Sequence, residues 1–276
     1  MFGRARPRPR PTSLGTGRLL AIWGTGGSPG CSATAAALAA TVGRRAPGPV
    51  ALLDGDLCRG GLTHLLGIAP GLTLGAALAL PRRDDEPCAE ECVDRRDWEW
   101  GRGAVRASLI PGEPGPGAPG EIDVDALVAL VDRLRATHAL VVVDVGDELP
   151  PRAGGEGHLA LLARADALVV VAQDTSVGQH DFTLEYRLLR DRLAALNPTA
   201  PRRAVVNHMH SAHIAAWKRE VLAPVQLELL TQVPHDWDGT SKARARRAPL
   251  PVADPGSPAS APLEEAGGRL AALLFG

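Results

Sequence analysis

The chain has 276 residues, 45% of them hydrophobic, and a formal net charge of −1. That length and apolar content suit one large α/β domain with a sizeable core. Near-neutrality excludes a global field that would draw the chain to nucleic acid or acidic lipid. Two lysines stand against 28 arginines, alongside 31 glycines and 24 prolines, so a general shortage of lysine marks the whole chain. Cys31, Cys58, Cys88 and Cys92 lie in unrelated local contexts and do not suggest a secreted disulfide scaffold. No stretch approaches the ~18 consecutive apolar residues of a membrane-spanning helix. Residues 1–18 place Arg4, Arg6, Arg8 and Arg10 between prolines and lack the apolar core of a signal peptide. They are expected to form a disordered basic arm, suited at most to a weak membrane or nucleic-acid contact or to a protein partner. The expected location is cytoplasmic.

From residue 19 onward, strand-like and helical runs alternate. Leu19 to Trp23 reads as a buried strand and the Ala/Leu-rich run from Ser32 to Val42 as a helix. Further apolar, β-branched runs end in polar residues: Val50 to Leu53 before Asp54, Ala139 to Val143 before Asp144, and Ala167 to Val171 before Gln173. Arg203 to Val206 precedes Asn207, and Leu229 to Val233 precedes Pro234. Such runs fit parallel strands buried on both faces. Helical patterns lie between them, over Val124 to Thr137, Val177 to Leu196 and Pro262 to Leu274. The expected fold is therefore a doubly wound, mostly parallel sheet flanked by helices, of the kind that binds ligands at its carboxyl ends. Residues 81–120 interrupt the pattern with a charged stretch and a Pro/Gly-rich one, and are expected to be a surface excursion. Residues 19–276 are read as one nucleotide-binding domain, and a second loop is expected over Pro150 to Gly157.

The chemistry gathers first at Gly24-Thr25-Gly26-Gly27-Ser28-Pro29-Gly30-Cys31-Ser32-Ala33. A strand, a glycine-rich turn and a helix N-terminus aim backbone N–H groups and a positive dipole end at one point, which is an anion site. The usual phosphate loop ends Gly-Lys-Ser/Thr, its lysine reaching the β/γ-phosphates and its hydroxyl meeting Mg²⁺. Here Ser32 keeps the hydroxyl, Cys31 takes the lysine position and the loop is one residue longer than the usual spacing. Lysine shortage explains an arginine there but not a cysteine. Asp54-Gly55-Asp56 follows the second strand, and two carboxylates one residue apart can both point into the crevice, one toward a metal and one toward an attacking water.

This order of features resembles the MinD/ParA-type family of dimerising ATPases, whose deviant phosphate loop is followed by Asp-x-Asp and a leucine-rich segment like Leu62 to Gly67. The resemblance spans residues 19–274. Gly27-Ser28-Pro29-Gly30-Cys31-Ser32 is similar to an actinobacterial-type subgroup with Gly-x-Pro-Gly-Arg-Ser/Thr. It implies that Gly26, Gly27, Ser28, Gly30, Cys31, Ser32 and Ala33 cradle the phosphates of ATP or ADP. It implies equally that Ser32, Asp54 and Asp144 serve Mg²⁺, and that Asp56 positions the water for hydrolysis. Asn207, Pro234 and Asp236 are matched to the elements around adenine, and the turn after Asn207 lacks the Asn-Lys-x-Asp pattern of guanine readers.

The departures matter as much. The family's lysine near the start of the loop, which reaches across the dimer, is replaced by the Thr25-Gly26 stretch, and the loop-end lysine by Cys31. Each lost charge-assisted contact is worth roughly 1.5–3 kcal/mol. The resemblance thus implies an adenine-nucleotide-dependent positional switch with weak or absent turnover, acting as a homodimer or with a protein partner. Its implied settings are cell division, chromosome partitioning, or placement of pilus or secretion machinery. The alternative is a catalytically silent scaffold that keeps the fold for protein binding. A nicotinamide-binding fingerprint fails because Pro29 takes the third glycine's place and Asp54 lies too far along. Cys88 and Cys92 lack a second ligand pair for zinc, and His208, His210 and His213 are read as an exposed turn near the adenine edge. Trp98 and Trp100 are either a partner patch or packed on the sheet, and Arg269 to Phe275 is a docking helix with a weakly supported membrane role.

Overall fold

A computed structural model describes residues 17–26, 30–56, 60–68, 74, 78, 93–100, 103–112, 123–146 and 155–276. The expectations for residues 1–16, for Gly27, Ser28 and Pro29, and for Cys58, Cys88 and Cys92 lie outside them.

Among the described residues eight strands form one sheet: β1 (Arg18–Gly24), β2 (Val50–Asp54), β3 (Asp94–Trp100), β4 (Gly103–Ile110), β5 (Leu140–Gly146), β6 (Ala167–Gln173), β7 (Arg202–Asn207) and β8 (Glu228–Val233). Their order is β3-β4-β2-β5-β1-β6-β7-β8, and every neighbouring pair is parallel except β3 with β4. The helices are α1 (Cys31–Gly43), α2 (Gly61–Leu66), α3 (Val124–Thr137), α4 (Gly155–Arg164), α5 (Ser176–Leu196), α6 (Trp237–Arg246), α7 (Leu250–Ala253) and α8 (Ser260–Phe275). Residues 211–225 wind through short helical turns, including a π turn over Trp217–Leu222.

Side chains alternate across a strand, so β1 feeds two cores. Leu19, Ala21 and Trp23 join α3, α4 and α5 on one face. Leu20 and Ile22 join α1, α2 and α8 on the other. Helix α1 is buried nearly all round, from Thr34 to Val42, which explains its run of alanines: small side chains let it lie close to both the sheet and α8. Its N-terminus lies over the carboxyl end of β1. There the chain first crosses toward β2 and later returns past β1 to β6, and this reversal opens the ligand crevice of a doubly wound sheet.

Part of the stretch expected as an excursion is sheet instead. Residues 94–100 and 103–110 pair antiparallel as β3 and β4, with Trp98↔Val105 and Asp97↔Arg106 in register, and β4 extends the parallel sheet beside β2. The alternating Arg/Asp/Trp/Glu pattern of β3 is that of an edge strand, and charge on an edge opposes pairing with other chains. Trp98 is buried in the α1/α8 core, so packing on the sheet is the correct reading for that indole. Arg96 holds this edge down, donating to Leu66 O at 2.7 Å and Arg247 O at 2.9 Å while pairing with Asp94 at 2.6 Å. The expected loop over Pro150 to Gly157 ends sooner, because α4 begins at Gly155. Helix α8 lays Leu263, Ala266, Leu270 and Leu274 against the core and is a structural element of the domain. No helix among the described residues is long and apolar enough to cross a membrane.

Candidate nucleotide site

The described ends of the glycine loop converge on the start of α1. Thr25 leaves β1 buried, its N–H donating to Val171 O at 3.1 Å and its hydroxyl without a partner among the described residues. Gly26 N–H donates to the Glu185 carboxylate of α5 at 2.8 Å. Gly30 caps α1 in the left-handed region (φ 90°), and a β-carbon there would meet Asn207 Nδ2 at 2.8 Å. Glycine is therefore required twice over, by the backbone and by the approach of β7. Gly30 has no side chain with which to cap α1. Cys31 is buried, Ser32 half-buried and Ala33 exposed.

Three carboxylates lie beside that turn. Asp54 ends β2 directly in register with Asp144 of β5, and both are fully buried. Asp56 follows at 7% exposure, against Gly146 at the end of β5. Ser32 hydrogen-bonds Asp144. Its hydroxyl lies so near the start of α2 that a β-carbon on Gly61 would come within 2.3 Å of it. Thr63 donates both its N–H (2.8 Å) and its hydroxyl (2.9 Å) to Asp54 Oδ2, and its hydroxyl accepts from Gly112 N at 2.9 Å. Asp54 Oδ1 and Asp144 Oδ2 have no partner among the described residues.

Burial and mutual repulsion control these groups. Burial first, then the Asp54 charge, push Asp144 up to about 8, against the Ser32 hydrogen bond. Burial pushes Asp54 to about 6, with Asp56 adding repulsion, although the two Thr63 hydrogen bonds oppose it. Two unpartnered carboxylate oxygens beside a hydroxyl make an all-oxygen donor set of the kind Mg²⁺ accepts. No three His, Cys, Asp or Glu side chains among the described residues form a closed metal cage. Mg²⁺ usually takes one or two carboxylates and completes its shell with water and substrate phosphates.

A pocket of about 270 Å³ opens on the other side of the α1 N-terminus. Gly30, Ala33 and Thr34 form one wall, and Asn207, Pro234 and Asp236 another, over an apolar floor that includes Leu65, Leu250 and Leu263. Asn207 Nδ2 donates to Thr34 Oγ1 at 3.2 Å, which ties β7 to α1. Asp236 caps α6, accepting from Gly239 N at 2.8 Å and from the Ser257 hydroxyl. Burial works against its charge, but those hydrogen bonds outweigh it and hold the carboxyl below its ordinary range.

The histidine cluster divides. His208 sits at φ 58°, with Nδ1 2.9 Å from Gln173 Nε2, and lines the pocket beside His235. Burial, with His235 second, lowers its pKa, so it is neutral at neutral pH. His210 N–H, His213 Nδ1 and Trp217 Nε1 all converge on the nearly buried Asp174, at 3.0, 2.9 and 2.6 Å.

Sequence reasoning missed four residues here. Thr63 hides in a segment read only for its leucines. His158 of α4, fully buried, reaches Gly55 O at 3.0 Å and steadies the Asp54–Asp56 turn. Asp174 and Glu185 act at range. Only Asp174 left a local signal, as a carboxylate ending a strand.

Taken together, a mostly parallel sheet flanked by helices, with the α1 N-terminus at its reversal point, defines a P-loop NTPase-like fold. Within that class, the fold is the one seen in MinD/ParA-type ATPases. MinD from Pyrococcus horikoshii, complexed with Mg-ADP, matches with a TM-score of 0.68 over 92% of this chain and 95% of its own, at 16% identity. A ParA family ATPase from Chlorobium tepidum matches with a TM-score of 0.71 over 91% and 98%, also at 16% identity. MinD in the Aquifex aeolicus MinC:MinD complex matches with a TM-score of 0.68 over 92% and 95%, at 16% identity. No protein-family model matches the sequence, and no curated protein matches it.

Proposed function

We propose that this protein is an adenine-nucleotide-binding positional switch of the MinD/ParA type, with weak or absent hydrolysis. The observation that carries the reading is the convergence on one helix N-terminus of two unlike half-sites. One is the pair of orphaned carboxylate oxygens on Asp54 and Asp144, and the other is the apolar pocket walled by Asn207 and Pro234. A nucleotide bridges such a pair naturally, with phosphates toward the carboxylates and base toward the pocket. The phosphates would meet Gly26, Gly27, Ser28, Gly30, Cys31, Ser32 and Ala33, and the base would meet Asn207, Pro234 and Asp236.

Ser32, Asp54 and Asp144 would hold Mg²⁺, which when bound offsets the negative charge of phosphate and carboxylates together. Asp56 is the residue for orienting a water. The absence of lysine at Gly26 and Cys31 is the reason to expect little turnover, since phosphoryl transfer depends on charge stabilisation by such groups. MinD from Pyrococcus horikoshii is a septum site-determining protein and Aquifex aeolicus MinD is seen in a cell division complex with MinC, which supports a role in spatial organisation with a protein partner.

The second reading, a silent scaffold, is favoured by one contact: the Glu185 carboxylate already accepts the Gly26 N–H, placing negative charge at the loop where phosphate would come. Calorimetric titration with Mg-ATP and Mg-GTP separates the two. Saturable binding with ATP preferred supports the switch, whereas a folded protein that binds neither supports the scaffold.

A further inference from the structure

We propose that Trp237 is a base-stacking residue, and that with His235 it shifts nucleotide recognition from the phosphates to the base. The inference rests on the reading that a base occupies the Asn207–Pro234 pocket. Among the described residues, Trp23, Trp98 and Trp217 are 0–3% exposed, whereas Trp237 is 71% exposed, more than any other large apolar side chain. It stands at the mouth of the pocket. Its backbone is anchored, because the preceding Asp236 caps α6 and is held by Gly239 and Ser257. An indole on a fixed backbone, solvated on most of its surface and bordering an apolar cavity, offers a flat face to a planar ligand.

The neighbouring rings extend that surface. His235 and His208 meet edge to face with centroids 4.8 Å apart on the same mouth, and Gln173 orients His208. The pocket is also selective by charge. No Lys or Arg lines it among the described residues, and its one acidic side chain, Asp236, is already hydrogen-bonded. An uncharged, nitrogenous, planar ring fits this chemistry, and a phosphate does not. Stacking a base on an aromatic side chain is strong enough to carry a large share of nucleoside affinity. This rim therefore offsets the charge missing at Cys31 and Gly26.

The test uses the full chain with adenosine, Mg-ATP and inorganic triphosphate. Binding is followed by calorimetry and by acrylamide quenching of tryptophan fluorescence. Adenosine and Mg-ATP should bind within about tenfold of each other and shield a tryptophan, while triphosphate shields none. The shielding should vanish in Trp237→Phe, which identifies the residue, while affinity stays within about threefold because a stacking ring remains. Trp237→Ala should weaken adenosine and Mg-ATP alike by about tenfold or more. Trp237 is largely solvated, so both variants should fold, as checked by circular dichroism. Mg-ATP that binds wild type and Trp237→Ala equally overturns the stacking role and leaves the nucleotide reading standing. ATP bound with adenosine more than a hundredfold weaker overturns the shift toward the base. Failure of both ligands to bind wild type overturns the proposal together with the nucleotide reading.

Discussion

Replacing Asp144 by Asn tests the buried carboxylate pair directly. Asp54 and Asp144 face each other in register, and each is pushed above its ordinary value of 3.8, Asp144 to about 8 and Asp54 to about 6. The native state thus holds protons that the unfolded chain releases, so ionising these groups costs stability progressively as pH rises from about 4 to about 8. At roughly 1.4 kcal/mol per pH unit, the shift of Asp144 sets a ceiling of about 6 kcal/mol near pH 8, and relaxation and water penetration reduce this to about 2–4 kcal/mol. Asn has nearly the same shape, carries no charge and relieves Asp54 as well. Asp144→Asn in EDTA should therefore melt about 5–15 °C above wild type near pH 8, and the gap should close toward about pH 5, where wild type is largely protonated. Mg²⁺ should narrow the gap near pH 8 by stabilising wild type alone, since ligands that bind only the native state raise its stability. Thermal unfolding by circular dichroism across this range decides the matter. A variant no more stable than wild type at about pH 8, or a gap that does not widen with pH, refutes the account of a strained acid pair.

Four further outcomes follow from the same geometry. In competition titrations Mg-ATP should outcompete Mg-GTP, and equal affinity would remove Asn207 as a reader of adenine. Cys31→Lys should tighten Mg-ATP binding about ten- to a hundredfold, matching a charge-assisted contact of roughly 1.5–3 kcal/mol; unchanged affinity in a folded variant would mean either that this loop does not meet the phosphates or that another basic residue already fills the place. Should wild type hydrolyse ATP at all, Asp56→Ala should abolish turnover with little change in binding, because positioning water belongs to the reaction rather than to ground-state binding. Asp174→Ala strands the buried Trp217 indole N–H and leaves the exposed His210 N–H to water, and should cost about 1–3 kcal/mol in urea unfolding; a loss near zero would mean that residues 211–225 are held by packing alone.

What the sequence determined by itself is the set of features whose cause is local. Continuous apolar runs ending in polar residues specified the parallel strands, because a strand buried on both faces tolerates little else along its length. The same rule put Asp54, Asp144, Gln173, Asn207 and Pro234 at strand ends, and Gly30 before an alanine-rich helix marked the turn that opens α1. The charged strand β3 did not announce itself, since an edge strand is recognised by the neighbour it pairs with, and that neighbour, β4, is a strand only because β2 lies beside it.

Tertiary structure alone decided how the carboxylates behave. Nothing in the Asp-Gly-Asp spacing indicates that Asp54 faces Asp144, some ninety positions away, or that Thr63 satisfies one of its oxygens and leaves the other unpartnered. Nor does sequence tie Glu185 to Gly26, which lies 159 positions earlier, or divide the three histidines between the pocket and Asp174. Local propensity fixes an element from its own residues, but burial, charge repulsion and hydrogen-bond satisfaction belong to pairs, and the fold alone selects the pairs.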